Sequence, residues 1–147
     1  MKKLNQKGFT LAELLIVVAI IAVLVAIAIP VFGSQLERSR ETTDAANLRS
    51  AYAAATVAVF DSSIVTGTVP GVSAGPVELK QTQDKFTHVT ESIGGVSLQD
   101  ASYNNIFVRG AQVYVNVDVS TGKPTFTKDN PTTNYVKINP LTGETSS

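Results

Sequence analysis

Gly8-Phe9-Thr10-Leu11-Ala12-Glu13-Leu14-Leu15 opens an apolar stretch that runs without a further charge to Ala28-Ile29-Pro30-Val31-Phe32. From Leu14 to Phe32 it covers about 19 residues, which as a helix reach roughly 28 Å, near the hydrocarbon thickness of a bilayer. The stretch is apolar on every face, as a lipid-exposed span is. A single-pass membrane segment is therefore the first expectation, and the rest of the chain is read outward from it.

On the N-terminal side, Met1 to Gly8 is short, polar and basic, with Lys2, Lys3 and Lys7. Such a segment stays on the cytoplasmic side of a membrane. A secretory signal would place its small-residue cleavage site after the apolar stretch. Here the small residue, Gly8, comes before it. Ala26 and Ala28 make a weak A-x-A match, which keeps a standard signal peptide as a competing reading.

On the C-terminal side, Gln35 to Phe60 holds no proline or glycine and is rich in alanine, which favours helix. Ala45, Leu48, Tyr52, Ala55 and Val59 recur in steps of three and four, one apolar stripe on a polar helix. Glu37 with Arg40, and Arg40 with Asp44, stand where opposite charges meet on a solvated helix surface. Asp61-Ser62-Ser63 end the pattern. A helix from Phe9 to Phe60 would be roughly 78 Å long, more than a globular core needs.

Beyond it, Val65 to Pro76 reads as loop, with glycines and prolines throughout. Leu79, Phe86, Val89 and Ile93 predict one side of a short helix ended by Gly94-Gly95. Ile106 to Val108 and Gln112 to Val119 are strand-like, the second alternating Val113, Val115, Val117 and Val119 with polar positions. Ser120 to Lys123 predicts a turn, Thr125 to Thr127 a hairpin partner, and Tyr135 to Ile138 a last strand. The expected fold class is α+β: a long N-terminal helix, half membrane-spanning and half amphipathic, packed on a small antiparallel sheet. The expected organisation is 1–8 leader, 9–34 apolar helix, 35–61 amphipathic helix and 62–147 β-rich head.

The 147 residues suit one compact domain plus an extended element. Formal net charge is +0, with 12 basic and 12 acidic residues. With no basic stripe, a nucleic-acid partner is not expected. There is no cysteine, so disulfides and cysteine metal sites are excluded.

Glu13 is the anomaly. A charged group at the centre of a spanning helix costs about 2.5–3.5 kcal/mol on insertion scales, and less near an end. An acid tolerated at the membrane edge is one reading. The other requires a cation, and none lies nearby once the leader lysines are gone. Cutting after Gly8 would create one, the α-amino group of Phe9, with an ordinary pKa of about 7.7–8.0. Along a straight helix Glu13 meets that amine more readily on a neighbouring subunit.

Lys7 to Leu15, followed by the run to Ala28-Ile29-Pro30, resembles the processing signature of type IV prepilins and their pseudopilin relatives, over about the first quarter of the chain. The resemblance implies that a membrane prepilin peptidase and methyltransferase cuts between Gly8 and Phe9 and N-methylates Phe9. It implies that subunits leave the membrane through a pilus assembly platform to form a helical homo-oligomeric filament with the heads outside. Adhesion, motility or DNA uptake would follow. The family's buried acid falls on Glu13, with Phe9 as its assembly partner. Its helix-breaking proline falls on Pro30, and Gly33 adds backbone freedom there. The short leader and Phe9 resemble the type IVa branch. Many members close a C-terminal disulfide loop, which this chain cannot.

No catalytic residues, cofactor or metal are expected. His88 is the only histidine and reads as a surface imidazole in a polar stretch. Asp118, Asp129 and Glu144 lack the spacing of a calcium loop. Tyr103, Tyr114 and Tyr135 suit sheet packing better than base stacking. Competing with a major pilin are a pseudopilin of a secretion or competence system, a minor pilin that binds DNA or a surface, and a plain membrane-anchored ectodomain.

Overall fold

The computed structural model describes residues 8–61, 64–65, 69–131 and 135–145. The leader lysines, and the helix stop expected at Ser62 and Ser63, lie outside the described residues. Helix α1 runs Leu11–Phe60, uninterrupted through Pro30. The chain divides into two compact units, one up to Leu36 and one from Glu37 onward.

In the first unit, the large apolar side chains from Leu11 to Phe32 are all 47–81% exposed. Nothing in this unit covers them. Among the described residues, α1 is the one helix long and apolar enough to cross a membrane.

The second unit is α+β. Its strands are β1 (Gly71–Glu78), β2 (Ser92–Ile93), β3 (Val96–Ser97), β4 (Gln112–Asp118), β5 (Pro124–Thr127) and β6 (Tyr135–Ile138). The main sheet has the order β5-β4-β1-β6, and β2 and β3 form a separate hairpin. Val72, Ala74, Val113, Val115 and Val117 are fully buried and face a helix stripe of Ala45, Leu48, Ala51, Ala55 and Ala58. Small residues on the helix side let the two layers approach. Phe107 closes the core, with ring centroids 5.2 Å from Phe86 and 5.1 Å from Phe126. Aromatic pairs favour such edge-on contact.

The structure differs from the expected head in four places. The sheet is mixed: β1 pairs antiparallel with β4 but parallel with β6. Strands β5 and β6 sit on opposite edges and run in the same direction, while β5 pairs back on β4 as the expected hairpin. The stretch read as loop contains the greater part of β1, Gly71 to Pro76. Its glycines serve close packing there: a Cβ on Gly71 would lie 2.3 Å from the Val117 carbonyl oxygen. The helix expected over Leu79 to Ile93 is absent. That segment is irregular as far as Glu91 and ends in β2, although Leu79, Phe86, Val89 and Ile93 are all buried. Gly94-Gly95 turn the β2–β3 hairpin instead of ending a helix. Finally, Ile106 to Val108 is a turn after the short 3-10 helix Ala101–Tyr103, not a strand. Phe107 there faces the core through a single residue, which a strand pattern imitates.

Candidate functional site

The helix starts one residue after Thr10, and Phe9 and Thr10 precede it. The Thr10 carbonyl accepts the first helical bond, from Leu14 N at 3.2 Å. The Glu13 N–H donates to Thr10 Oγ1 at 3.2 Å. In return Glu13 Oε2 accepts from the Thr10 N–H at 2.8 Å and from the Thr10 hydroxyl at 2.7 Å. This is a capping box, Thr-x-x-Glu, with each residue satisfying the other's orphan group. An acid in the first turn also complements the positive end of the helix dipole.

Glu13 therefore has partners within its own chain, where the sequence reading found no cation to pair it with. Those partners are dipoles, so the charge itself is not neutralised. The carboxylate is turned back toward the N-terminus, to a nitrogen one residue from that of Phe9. The signal for this was in the sequence, as Thr10 three residues before Glu13.

Gly8 has no atom within 4 Å of where a Cβ would stand. Its lack of a side chain answers no packing need among the described residues. Phe9 is 91% exposed. Pro30 lies inside α1. Having no N–H, it leaves the Ala26 carbonyl without its helical donor. Gly33 lies three residues on, again with open space about it.

The second unit holds acids of a different kind, of which Glu37 and Asp44 are expected from the sequence to lie on a solvated face and Glu41 carries no expectation. Glu37, Glu41 and Asp44 are buried on α1 and take up backbone N–H groups of the irregular segment. Glu37 Oε1 accepts from Thr82 N at 2.7 Å and Gln83 N at 2.9 Å. Glu41 Oε2 accepts from Thr87 N at 3.0 Å, His88 N at 2.7 Å and Val89 N at 3.2 Å. Asp44 accepts from Lys80 N and Gln81 N, both at 2.8 Å on their shorter contacts. The acids stand one and two turns apart on one face, so they bind successive parts of one passing chain.

Arg40 pairs only with Glu37, at 3.5 Å. The expected Arg40–Asp44 pair is replaced by the Lys80 and Gln81 amides. His88 lies at the surface, with its Nδ1 2.9 Å from Glu41 Oε1. Burial pushes Glu37 and Glu41 up, but the donors on each outweigh it and hold both below the usual carboxylate range. For Asp44 burial wins over the Lys80 and Gln81 amides, and its pKa is raised.

Asp118 closes the turn after β4, its Oδ1 accepting from Thr121 N at 2.8 Å and Ser120 N at 2.9 Å. Tyr103 packs on Phe126 with centroids 5.1 Å apart.

Residues 3–29 match the prokaryotic N-terminal methylation motif. The chain is 43% identical over 56 residues to the type IV major alpha-pilin of Moraxella bovis, covering 38% of this chain and 35% of that one. It is 51% identical over 57 residues to the type IV narrow pilus major component PilA5 of Thermus thermophilus, covering 37% and 49%. It is 52% identical over 50 residues to the type IV major pilin protein PilA of Myxococcus xanthus, covering 34% and 23%. The aligned part spans between about a quarter and a half of those relatives' length. No solved structure matches. The chain thus carries the prokaryotic N-terminal methylation motif, and over somewhat more than a third of its length it is similar to type IV pilins.

Proposed function

We propose that this chain is the precursor of a structural subunit of a type IV pilus, and that it has no catalytic role. One coincidence carries the reading. An open Gly8 and an exposed Phe9 stand directly before a capped acid, and an apolar helix bare on all sides follows. A prepilin peptidase that cuts between Gly8 and Phe9 accounts for a glycine that the described residues do not themselves require. The matched motif supports N-methylation at Phe9.

Before assembly, Leu14 to Phe32 holds the precursor in the membrane, with the leader cytoplasmic and the head outside. Removal of the leader takes away Lys2, Lys3 and Lys7. Side-chain charge then changes from +0 to −3, since 9 basic residues face 12 acidic ones (12 − 3 = 9). The apolar helices, drawn out through the assembly platform, bury their bare faces against one another in a helical filament. The new amine of Phe9 on one subunit supplies the cation that Glu13 of its neighbour lacks.

Pro30 is where the packed helix gives way. The single chain keeps a continuous helix there. In a tight bundle the stretch just before it, Ala22 to Ile29, becomes extended, and Gly33 eases the return to helix.

The test is the mass of filaments sheared from the cell surface. The expected chain begins at N-methylated Phe9. Assembled material that begins at Met1 would overturn the reading.

A further inference from the structure

Strand β6 stops at Ile138, opposite Ala74, whereas β1 continues to Glu78. Beyond Ala74, β1 has β4 on one side and, among the described residues, no strand on the other. The step leaves a groove of about 600 Å³, within the range of small-ligand sites. Gly75 to Glu78, Asn47 and Ser50 of α1, Lys137 and the turn at Asn139 to Leu141 line it. Pro76 has no N–H to offer an added strand, so the groove does not suit an extended peptide.

The chemistry of the lining points elsewhere. Asn47, Asn130, Ser50 and Tyr114 bring amides and hydroxyls that donate and accept, matching a ligand dense in hydroxyl groups. Ser73 also lines the groove. It is 2% exposed, and its hydroxyl has no hydrogen-bond partner among the described residues. A buried polar atom left open at the bottom of a groove calls for a partner. Lys137 stands beside Ser73 across the β1–β6 register. Lys80 and Lys137 face a single lining carboxylate, Glu78. None of these three takes part in the ion pairs of the described residues. Lys80 also feels the buried Asp44, which leaves Lys137 as the cation most available to a ligand.

We infer that this groove binds a carboxylate-bearing saccharide. Lys137 would meet the sugar acid, Ser73 and the asparagines its hydroxyls, and the Tyr114 ring one sugar face. This does not depend on how the filament assembles, since every lining residue lies in the second unit.

The test titrates the full chain, in neutral detergent micelles, with a hyaluronan tetrasaccharide by calorimetry and saturation-transfer NMR. Neutral chitotetraose and inorganic phosphate are titrated beside it. The expected result is binding of the uronate sugar, weakened about tenfold by Lys137→Gln, as loss of one charge-assisted contact implies. The exposed control Lys128→Gln leaves it unchanged. Absence of binding up to about 10 mM, a weaker limit than any specific site, would overturn the inference. So would equal affinity for chitotetraose, equal affinity for phosphate, or unaltered binding by Lys137→Gln.

Discussion

Glu13 and Glu41 belong to the same helix and meet opposite surroundings. Around Glu13 the side chains are large, apolar and bare, and the one acid is held by its own helix terminus. Around Glu41 they are small and covered, and the acid is held by three amides of a distant segment. The first half is built to be covered by something other than its own fold. The second half has already found its cover. An unpaired charge is tolerable in the first because a partner can still arrive, whereas in the second the acids already hold donors from the passing segment.

The sharpest way to break this comparison is at Glu13. Glu13→Val is expected to reduce filament yield at least about tenfold, since bringing an uncharged helix beside a neighbouring amine leaves that amine buried and unpaired. Head stability should not move, because no contact of the second unit is touched. Glu13→Gln sharpens the point, as glutamine can retain the capping geometry while losing the charge. If Gln assembles normally and Val does not, the cap matters and the charge does not. Sheared-filament yield and the melting temperature of the detergent-solubilised chain measure both. Normal filaments from Glu13→Val would remove the distinction between the two halves.

The next largest effect belongs to Glu41. Glu41→Ala removes one acceptor from three backbone N–H groups and from the Thr87 hydroxyl at 2.8 Å. The amides of Thr87, His88 and Val89 are left without it. The expected loss is about 3 kcal/mol of unfolding free energy, the scale of breaking hydrogen bonds to a buried charge. Denaturant unfolding of the solubilised chain reads it, and hydrogen exchange at Thr87 to Val89 should rise. A loss below about 1 kcal/mol would place Glu41 among ordinary surface acids.

These three acids also explain which parts of the fold could be read from residues alone. The helix was legible because its signals are local and repeated. The apolar run, the alanine stripe and the absence of proline after Pro30 all point the same way. Strand β4 was legible because Val113, Val115 and Val117 alternate with polar residues. Leu79 to Ile93 was not. Its buried residues fall at near-helical spacing, yet its backbone bonds go to Glu37, Glu41 and Asp44, more than thirty residues earlier. No local pattern announces a long-range side-chain acceptor. Strand β1 was hidden by Gly71, Gly75 and Pro76, which in a loop would give freedom. In this sheet Gly71 gives room beside Val117, and Gly75-Pro76 form a bulge opposite Tyr114. At the candidate site, the order of Gly8, Phe9 and Glu13 is what the proposed processing rests on, whereas the Thr10–Glu13 cap is a local contact that a charge-based reading of Glu13 does not reveal.

A smaller effect separates the three acids from one another by pH. Glu37 and Glu41 are held below their ordinary value in the fold, so the stability they add is present above the unfolded glutamate pKa, about 4.3. It is lost as pH falls through their lower folded values. Asp44 is raised by burial, so its contribution has the opposite sign: present at low pH and lost as pH rises through its folded pKa. Falling pH should therefore first relieve Asp44 and then weaken the other two. A shallow maximum in stability on the acid side of neutrality, followed by a decline below about pH 4, is expected. Glu37→Gln should flatten the decline, and Asp44→Asn should remove the rise. Denaturant midpoints taken between pH 3 and 7 measure both limbs. A stability that falls steadily from pH 7 would show that Asp44 is not the odd member.

The smallest effect asks what neutralises these acids, backbone dipoles or a cation. Arg40 is the one arginine paired with them, and its side chain is 43% exposed. The contact to Glu37, at 3.5 Å, is the longest that this carboxylate makes. An exposed pair of this kind contributes at most about 0.5 kcal/mol, because water screens it and the long side chain must be ordered to make it. Thr82 contributes differently, since its hydroxyl reaches Glu37 Oε2 at 2.5 Å while its own N–H and that of Gln83 hold Oε1. Arg40→Gln is therefore expected to cost no more than about 0.5 kcal/mol, and Thr82→Val about 1–2 kcal/mol through one lost bond to a charged group. Raising the salt concentration should shrink the first difference and leave the second. If Arg40→Gln cost more than Thr82→Val, the acids of the head would be held by an ion pair. The contrast with Glu13, which also waits for a cation, would then be one of degree. If the order is as expected, the head half of α1 is anchored by peptide dipoles already in place, in contrast to the charge from another chain that is proposed for Glu13.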